Sequence, residues 1–179
     1  MKESRKDETF WAVLNAAIQL EFVRGHQRWT MSELSRTSKV TRSLIYYYFG
    51  KSKEAILLEA VKIIGEEFFG LTSGRIDLWN KGEIAESVLQ SRRLLEKSPF
   101  MGSFYMVHRE AETEIGAALR SLEKEYKAKL KRFFKDVQDP YRDALFGLLL
   151  GLVLTPRLSD DAVKSAVRVV ASVADRAIK

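Results

Sequence analysis

Thr30-Met31-Ser32-Glu33-Leu34-Ser35-Arg36-Thr37-Ser38-Lys39-Val40-Thr41-Arg42-Ser43-Leu44-Ile45-Tyr46-Tyr47-Tyr48-Phe49 contains two helix starts within one short stretch. Thr30 and Glu33 have the spacing of a capping box: the hydroxyl accepts a first-turn N–H, and the carboxylate reaches back to the Thr30 N–H. A short helix then ends near Ser38, and Thr41 caps a second one running to about Phe49. Two short helices joined by so tight a turn have the spacing of a helix-turn-helix. Leu34, Val40, Ile45 and Phe49 are placed to fill the junction, against Leu14, Ala17 and Ile18 of a preceding helix. With Ile45 inward and about 100° of rotation per residue, Ser43 and Tyr47 point outward, flanked by Arg42, Leu44 and Tyr46.

That outward face suits DNA. Arginine pairs bidentately with guanine, and leucine meets a thymine methyl. Hydroxyls from Thr30, Ser32, Thr41 and the tyrosines 46–48 bond to phosphate and fix register. Lys51 and Lys53 flank the start of the next helix, where a cation and a helix N-terminus together attract phosphate; either lysine fits that role. The competing explanation is that the tyrosines pack against a partner domain, and it is strongest for Tyr48.

Working outward, the chain reads as helix after helix, an all-α protein of about nine helices. The first spans Asp7 to Val23 and stops at Gly25, a natural left-handed C′ residue. Ser52 caps a long fourth helix continuing to about Phe69, and residues 70–81 read as a loop. Further helices are expected at 82–97, 99–115, 117–137, 140–155 and from Ser159 to about Ile178, with a division near Gly116. Ser98-Pro99 and Asp139-Pro140 read as cap-plus-proline starts. These lengths divide the chain into a DNA-binding domain, residues 1–52, and a helical-bundle domain, residues 53–179.

Composition is consistent with this. Of 30 Lys and Arg, 11 fall in residues 1–64 against 7 Asp and Glu, so the net charge of +6 is weighted toward the N-terminal third. There is no cysteine, which excludes disulfides and thiolate metal sites and fits a reducing cytosol. The charged start, Met1 to Glu8, has no apolar run behind it, so no signal peptide and a cytoplasmic location are expected. The run from Leu145 to Leu154 is too short to span a bilayer.

Residues 9–62 resemble the N-terminal domain of the tetracycline-repressor (TetR) family of regulators. The resemblance is carried by Ala16-Ala17-Ile18 through Gly25, by Thr30-Met31-Ser32-Glu33-Leu34-Ser35, by Val40 through Phe49, and by Lys53-Glu54-Ala55-Ile56. The Ile45-Tyr46-x-x-Phe49 string before a Lys-Glu helix start is its specific part. The resemblance implies a homeodomain-like three-helix domain whose recognition helix contacts DNA through Arg42, Ser43, Leu44, Tyr46 and Tyr47. It assigns phosphate contacts to Thr30 and to a lysine at the start of the fourth helix. It also implies a divergent C-terminal domain that binds a small effector and dimerises, with a palindromic double-stranded operator as partner. The sequence departs from the family pattern in three places. Glu21 replaces a core phenylalanine, with Phe22 next door expected to compensate. Lys39 holds a turn position usually given to glycine, and one extra residue lies between Phe49 and the fourth helix.

The C-terminal two-thirds supports a homodimer on its own evidence. Gly147, Leu148, Gly151 and Leu152 lie on a helix nearly without charge, and the two glycines, one turn apart, would admit a second backbone. Ala162, Ala166, Val170 and Val173 recur at helical spacing on the final helix. Together they fit a four-helix interface across a two-fold axis; the competing explanation is the monomer's own core. Phe68, Trp79, Phe100, Phe104, Tyr105 and His108 are the candidate lining of a pocket for a largely apolar effector, although such stripes more often form ordinary core. No nucleophile–base–acid set, phosphate loop or metal-ligand spacing is present, so an enzyme, a cofactor or a metal is not expected. Two readings therefore stand: a repressor released by an effector, or a dimeric DNA-binding or interaction module with no small-molecule ligand.

Overall fold

The computed structural model describes residues 5–155 and 157–176, with the side chains of residues 5, 6 and 173–176 left aside. Among the described residues the structure is helical and contains no strand. In chain order the helices are α1 (Arg5–Arg24), α2 (Met31–Ser38), α3 (Arg42–Phe49), α4 (Lys53–Ile63), α5 (Ser73–Asn80), α6 (Ile84–Lys97), α7 (Met101–His108), α8 (Glu114–Phe133), α9 (Asp139–Leu154) and α10 (Asp160–Arg176). A π-helical turn, Ile64–Phe68, follows α4 directly. No helix among the described residues is long and apolar enough to cross a membrane.

Two compact units result. The first comprises residues up to 64 together with 98–119, and the second comprises 65–97 and 120–179. In the first, α1 packs against α2, α4 and α7, and α2 packs on α3. Its core is Val13, Leu14, Ala17, Ile18, Trp29, Leu34, Ile45, Ile56 and Leu57, with Met101, Phe104 and Tyr105 from α7. In the second unit α6 packs on α5, α9 and α10.

Three local readings of the sequence are corrected. The stretch 70–81 is not a loop, because α5 occupies residues 73–80. Its buried face consists of Arg75 and Trp79, one turn apart, and an arginine hides the apolar period that marks a helix. The arginine tolerates burial because its guanidinium donates to the Ser87 carbonyl and to the hydroxyls of Ser87 and Ser91, and pairs with Glu67 at 3.5 Å.

The expected helix 99–115 is cut short, since α7 ends at His108 and α8 begins at Glu114. Gly116 is not the divider. It lies inside the first turn of α8, where a Cβ would sit 2.0 Å from the Ala111 carbonyl oxygen and 2.9 Å from that of His108. Close approach, not a break, requires glycine there. Finally, Gln138 rather than Asp139 is the cap residue of α9, with Pro140 inside the first turn.

The C-terminal end of α9 is closed by a side chain from another helix. Arg92 of α6 donates to the carbonyls of Leu152 (2.8 Å), Thr155 (2.7 Å) and Leu158 (2.5 Å). A cation on orphan carbonyls at a helix C-terminus meets both their hydrogen-bonding need and the helix dipole.

Candidate nucleic-acid interface

The two helix starts read from the sequence form as capped ends. At α2 the Thr30 hydroxyl accepts the Glu33 N–H (3.1 Å), and the Glu33 carboxylate accepts the Thr30 N–H (2.7 Å) and hydroxyl (3.0 Å). Those bonds hold the Glu33 carboxyl below its ordinary pKa. At α3 the Thr41 hydroxyl accepts the Leu44 N–H, and at α4 the Ser52 hydroxyl accepts that of Ala55. Between α2 and α3, the Ser35 hydroxyl donates to the Val40 carbonyl (2.7 Å) and the Val40 N–H donates to Ser38 (3.3 Å). Lys39 takes the left-handed conformation at the centre of this turn, with φ 58° and ψ 25°.

With the turn fixed, α3 is oriented by its apolar side. Ile45 and Phe49 are buried, and the Phe49 ring stacks on Phe10 of α1 at 5.2 Å. The opposite side then faces solvent. Thr41, Arg42, Ser43, Leu44 and Tyr47 are exposed, Tyr47 by 80%, while Tyr46 and Tyr48 are half-buried. Tyr48 packs edge-on against Tyr47. Thr30 and Ser32 at the start of α2 are exposed as well.

The two candidate phosphate lysines occupy different positions. Lys53 donates to the carbonyls of Gln27 (2.6 Å) and Trp29 (3.0 Å) and lies over the Trp29 ring. Lys51 is exposed, its ammonium 6.0 Å from the centre of the Tyr46 ring.

The departure at Glu21 has a structural explanation that the sequence reading missed. Glu21 is 1% exposed, and Phe22 does not compensate for it, being 50% exposed. The core is filled instead by Trp29, whose indole N–H donates to Glu21 Oε2 at 2.7 Å. The Gln27 N–H (3.0 Å) donates to the same oxygen, and His26 Nδ1 lies 2.6 Å from Oε1. The carboxylate thereby clamps the loop between α1 and α2, including Gln27 at φ 53°. A trace of this was visible in the sequence: a Glu on the apolar face of α1, with a tryptophan a few residues later.

Of the six candidate pocket residues, Phe100, Phe104, Tyr105 and His108 lie in the first unit and Phe68 and Trp79 in the second. In the second unit Trp79 packs among Tyr126, Phe133 and Phe134, and Phe69 stacks on Tyr126. Lys129 caps this box, donating to the carbonyls of Gly70 (2.8 Å) and Phe69 (3.2 Å), 4.2 Å from the centre of the Trp79 ring. Burial, helped by the Arg75 cation, pushes its pKa down to about 7. In the first unit His108 is 5% exposed with its Nε2 3.6 Å from Glu21 Oε1, and burial lowers its pKa against the pull of Glu21. No ligand spacing in the sequence pointed to a metal, yet the fold gathers Glu21, His26 and His108 within ligating distance of one another.

The candidate dimer residues divide by face. On α9, Ala144, Gly147, Leu148 and Gly151 point to solvent and Leu152 is half-buried, while Leu145, Phe146, Leu149, Leu150 and Val153 point inward. A Cβ on either Gly147 or Gly151 would meet nothing within 4 Å. On α10, Val170 is buried within the unit beside Leu145, Ala162 and Ala166 are half-buried, and the Val173 side chain lies outside the described residues.

Residues 13–60 match the family described as bacterial regulatory proteins, tetR family. No curated protein matches the chain. Solved structures do match over nearly the whole length. One is the TetR-family transcriptional regulator PfmR from Thermus thermophilus (13% identity, 94% of this chain and 96% of that one, TM-score 0.64). Another is a putative TetR-family transcriptional regulator from Mesorhizobium loti (16% identity, 96% and 97%, TM-score 0.58). A third is NalD, the secondary repressor of the MexAB-OprM multidrug efflux pump in Pseudomonas aeruginosa (19% identity, 96% and 97%, TM-score 0.52). At these identities the likeness is one of fold.

Proposed function

We propose that this chain, which belongs to the tetR family of bacterial regulatory proteins through residues 13–60, is a homodimeric, sequence-specific transcriptional repressor. One observation carries the reading. α3 buries Ile45 and Phe49 and turns Arg42, Ser43, Leu44 and Tyr47 to solvent, on a helix capped at Thr41 and seated by the Lys39 turn. In this reading Arg42 pairs with guanine and Leu44 meets a thymine methyl. Ser32, Ser43, Tyr46, Tyr47 and Lys51 hold phosphates or base edges, with Thr30, Thr41 and Tyr48 beside them. Lys53, engaged with the Gln27 and Trp29 carbonyls, positions the loop before α2 and leaves the phosphate to Lys51.

Two copies would meet through the outward face of α9, and a two-fold dimer would read two half-sites of a palindrome. Selection of bound fragments from a random DNA library tests both points together. A palindromic consensus is expected; enrichment of no sequence would overturn the reading.

Release by a small apolar effector is the finer part of the proposal. The box around Trp79 is packed with its own rings, and this favours the second reading, a DNA-binding dimer that takes no ligand there. Thermal melts against a panel of apolar compounds discriminate the two. A melting shift paired with loss of operator binding supports an effector, and a melt and grip unmoved by every compound supports the ligand-free module.

A further inference from the structure

We infer that Glu21, His26 and His108 form a binding site for a divalent transition-metal ion of the zinc type, at the junction of α1, the loop that follows it and α7. All three residues belong to the first compact unit. Glu21 Oε1, His26 Nδ1 and His108 Nε2 lie within 4.8 Å of one another. Oε1 is 2.6 Å from His26 Nδ1 and 3.6 Å from His108 Nε2. Around an ion with bonds of about 2.0–2.1 Å in tetrahedral geometry, neighbouring ligand atoms stand about 3.3 Å apart. The observed separations straddle that value, so rearrangements on the order of an ångström would complete the triangle.

The surroundings have the character of a ligand shell. Glu21 is held in orientation by its other oxygen, which accepts the Trp29 indole N–H and the Gln27 N–H. Such outer donors fix a ligating carboxylate. His108 is fixed by burial and by the Phe104 ring, 4.7 Å away between centroids. His26 is the adjustable member, on an exposed loop between Gly25 (φ 88°) and Gln27.

A fourth position is open to a cleft of about 260 Å³, lined by Phe22, Val107, Ala111 and Thr113 alongside the three ligands. Two imidazoles and one carboxylate with an open position suit zinc and its transition-metal neighbours, whereas magnesium and calcium prefer all-oxygen shells. Because His26 and Gln27 lie just before the Thr30 cap of α2, the ion would tie the entry of the helix-turn-helix to α7. Any effect on DNA rests on the function proposed above; the binding of the ion does not.

The test uses the full chain, stripped with a chelator and titrated with Zn²⁺ against a chromophoric competitor, and separately with Co²⁺ followed by its visible absorption. One equivalent per chain is expected, with a Co²⁺ spectrum of low coordination number and a melting temperature that rises with Zn²⁺. His26→Gln gives up the His26 contact with Glu21 Oε1 but leaves an amide N–H able to donate to the same oxygen, so its metal-free melt should fall only slightly while the Zn²⁺-dependent rise is lost. Its Zn²⁺ affinity should fall about 100-fold or more, beyond the 10–100-fold typical of losing an outer-shell partner. Trp29→Phe, which removes one outer donor, should weaken binding within that smaller range at unchanged stoichiometry. Absence of stoichiometric Zn²⁺ binding by the parent protein, or undiminished binding by His26→Gln and by the His26→Gln/His108→Gln double variant, would overturn the site. Either result leaves the operator selection untouched.

Discussion

Helices α3 and α9 both turn hydrophobic surface to solvent, and they do so with different chemistry. On α3 the outward residues are Arg42, Ser43, Leu44 and Tyr47; on α9 the outward stretch around the exposed leucine is Ala144, Gly147, Leu148 and Gly151, with Tyr141 and Asp143 exposed in the turn before it. Leu44 and Leu148 are both exposed, at 38% and 54%, so apolar exposure does not separate the faces. What separates them is the density of hydrogen-bonding groups around the leucine. On α3 every outward neighbour is a donor or acceptor, as a partner rich in phosphates and base edges requires. On α9 none is from Ala144 onward, and the glycines leave room for a backbone, as a self-complementary contact requires. The lesson is that an exposed leucine identifies a partner by the company it keeps.

The comparison breaks most severely at α9. A Cβ added at the exposed Gly151 meets nothing within 4 Å, so with Gly151→Leu the monomer should fold normally while the partner copy is excluded. A monomeric mass is expected by light scattering, with operator affinity lower by about 10²–10⁴ once the two half-sites bind independently. A normal dimer mass would assign that face another role. Next in size is Arg42→Ala on α3. Loss of one bidentate base contact costs about 1–3 kcal/mol, and competition titrations should show that loss for the selected operator but not for random DNA. Equal loss on both would make Arg42 a phosphate contact.

How much of this contrast was legible beforehand depends on the kind of signal. The caps at Thr30, Thr41 and Ser52 are local chemistry within four residues, and all three form as the sequence implies. The junction of Leu34, Val40, Ile45 and Phe49 follows from helical period, and all four are buried. Arg75 and Glu21 show where the period misleads. Each is a charged residue on a buried face, compensated by partners supplied from elsewhere in its unit: Ser87 and Ser91 for the one, Trp29 and His26 for the other. The pairing of Glu21 with His108 was illegible for a related reason. It depends on α7 packing against α1, and no spacing along the chain encodes that contact.

A smaller effect distinguishes the lysines at the edge of the α3 face. Lys51→Ala should weaken binding to every sequence about equally and flatten the salt dependence by about 0.9 in log–log slope, the signature of one phosphate contact. Lys53→Ala should leave that slope unchanged. Its defect belongs to stability, because the Gln27 and Trp29 carbonyls lose their donor. Salt titrations and thermal melts of both variants separate the roles, and a flattened slope for Lys53→Ala would return it to the interface.

The smallest change concerns the turn that aims α3. Lys39 sits at φ 58°, where a Cβ crowds the backbone and costs about 1–2 kcal/mol. Lys39→Gly removes that strain but admits more freedom to the unfolded chain, which takes back about 0.5–1 kcal/mol. The net gain should therefore be about 0–1.5 kcal/mol, a rise in melting temperature of no more than about 3–6 °C for a chain of this size. The turn itself should not move, because the Ser35–Val40 and Ser38–Val40 bonds define it without the lysine side chain. Operator specificity should accordingly match the parent protein. A more stable variant that has lost specificity would instead assign Lys39 a contact with DNA, and the reading face would then extend from α3 onto the turn that carries it.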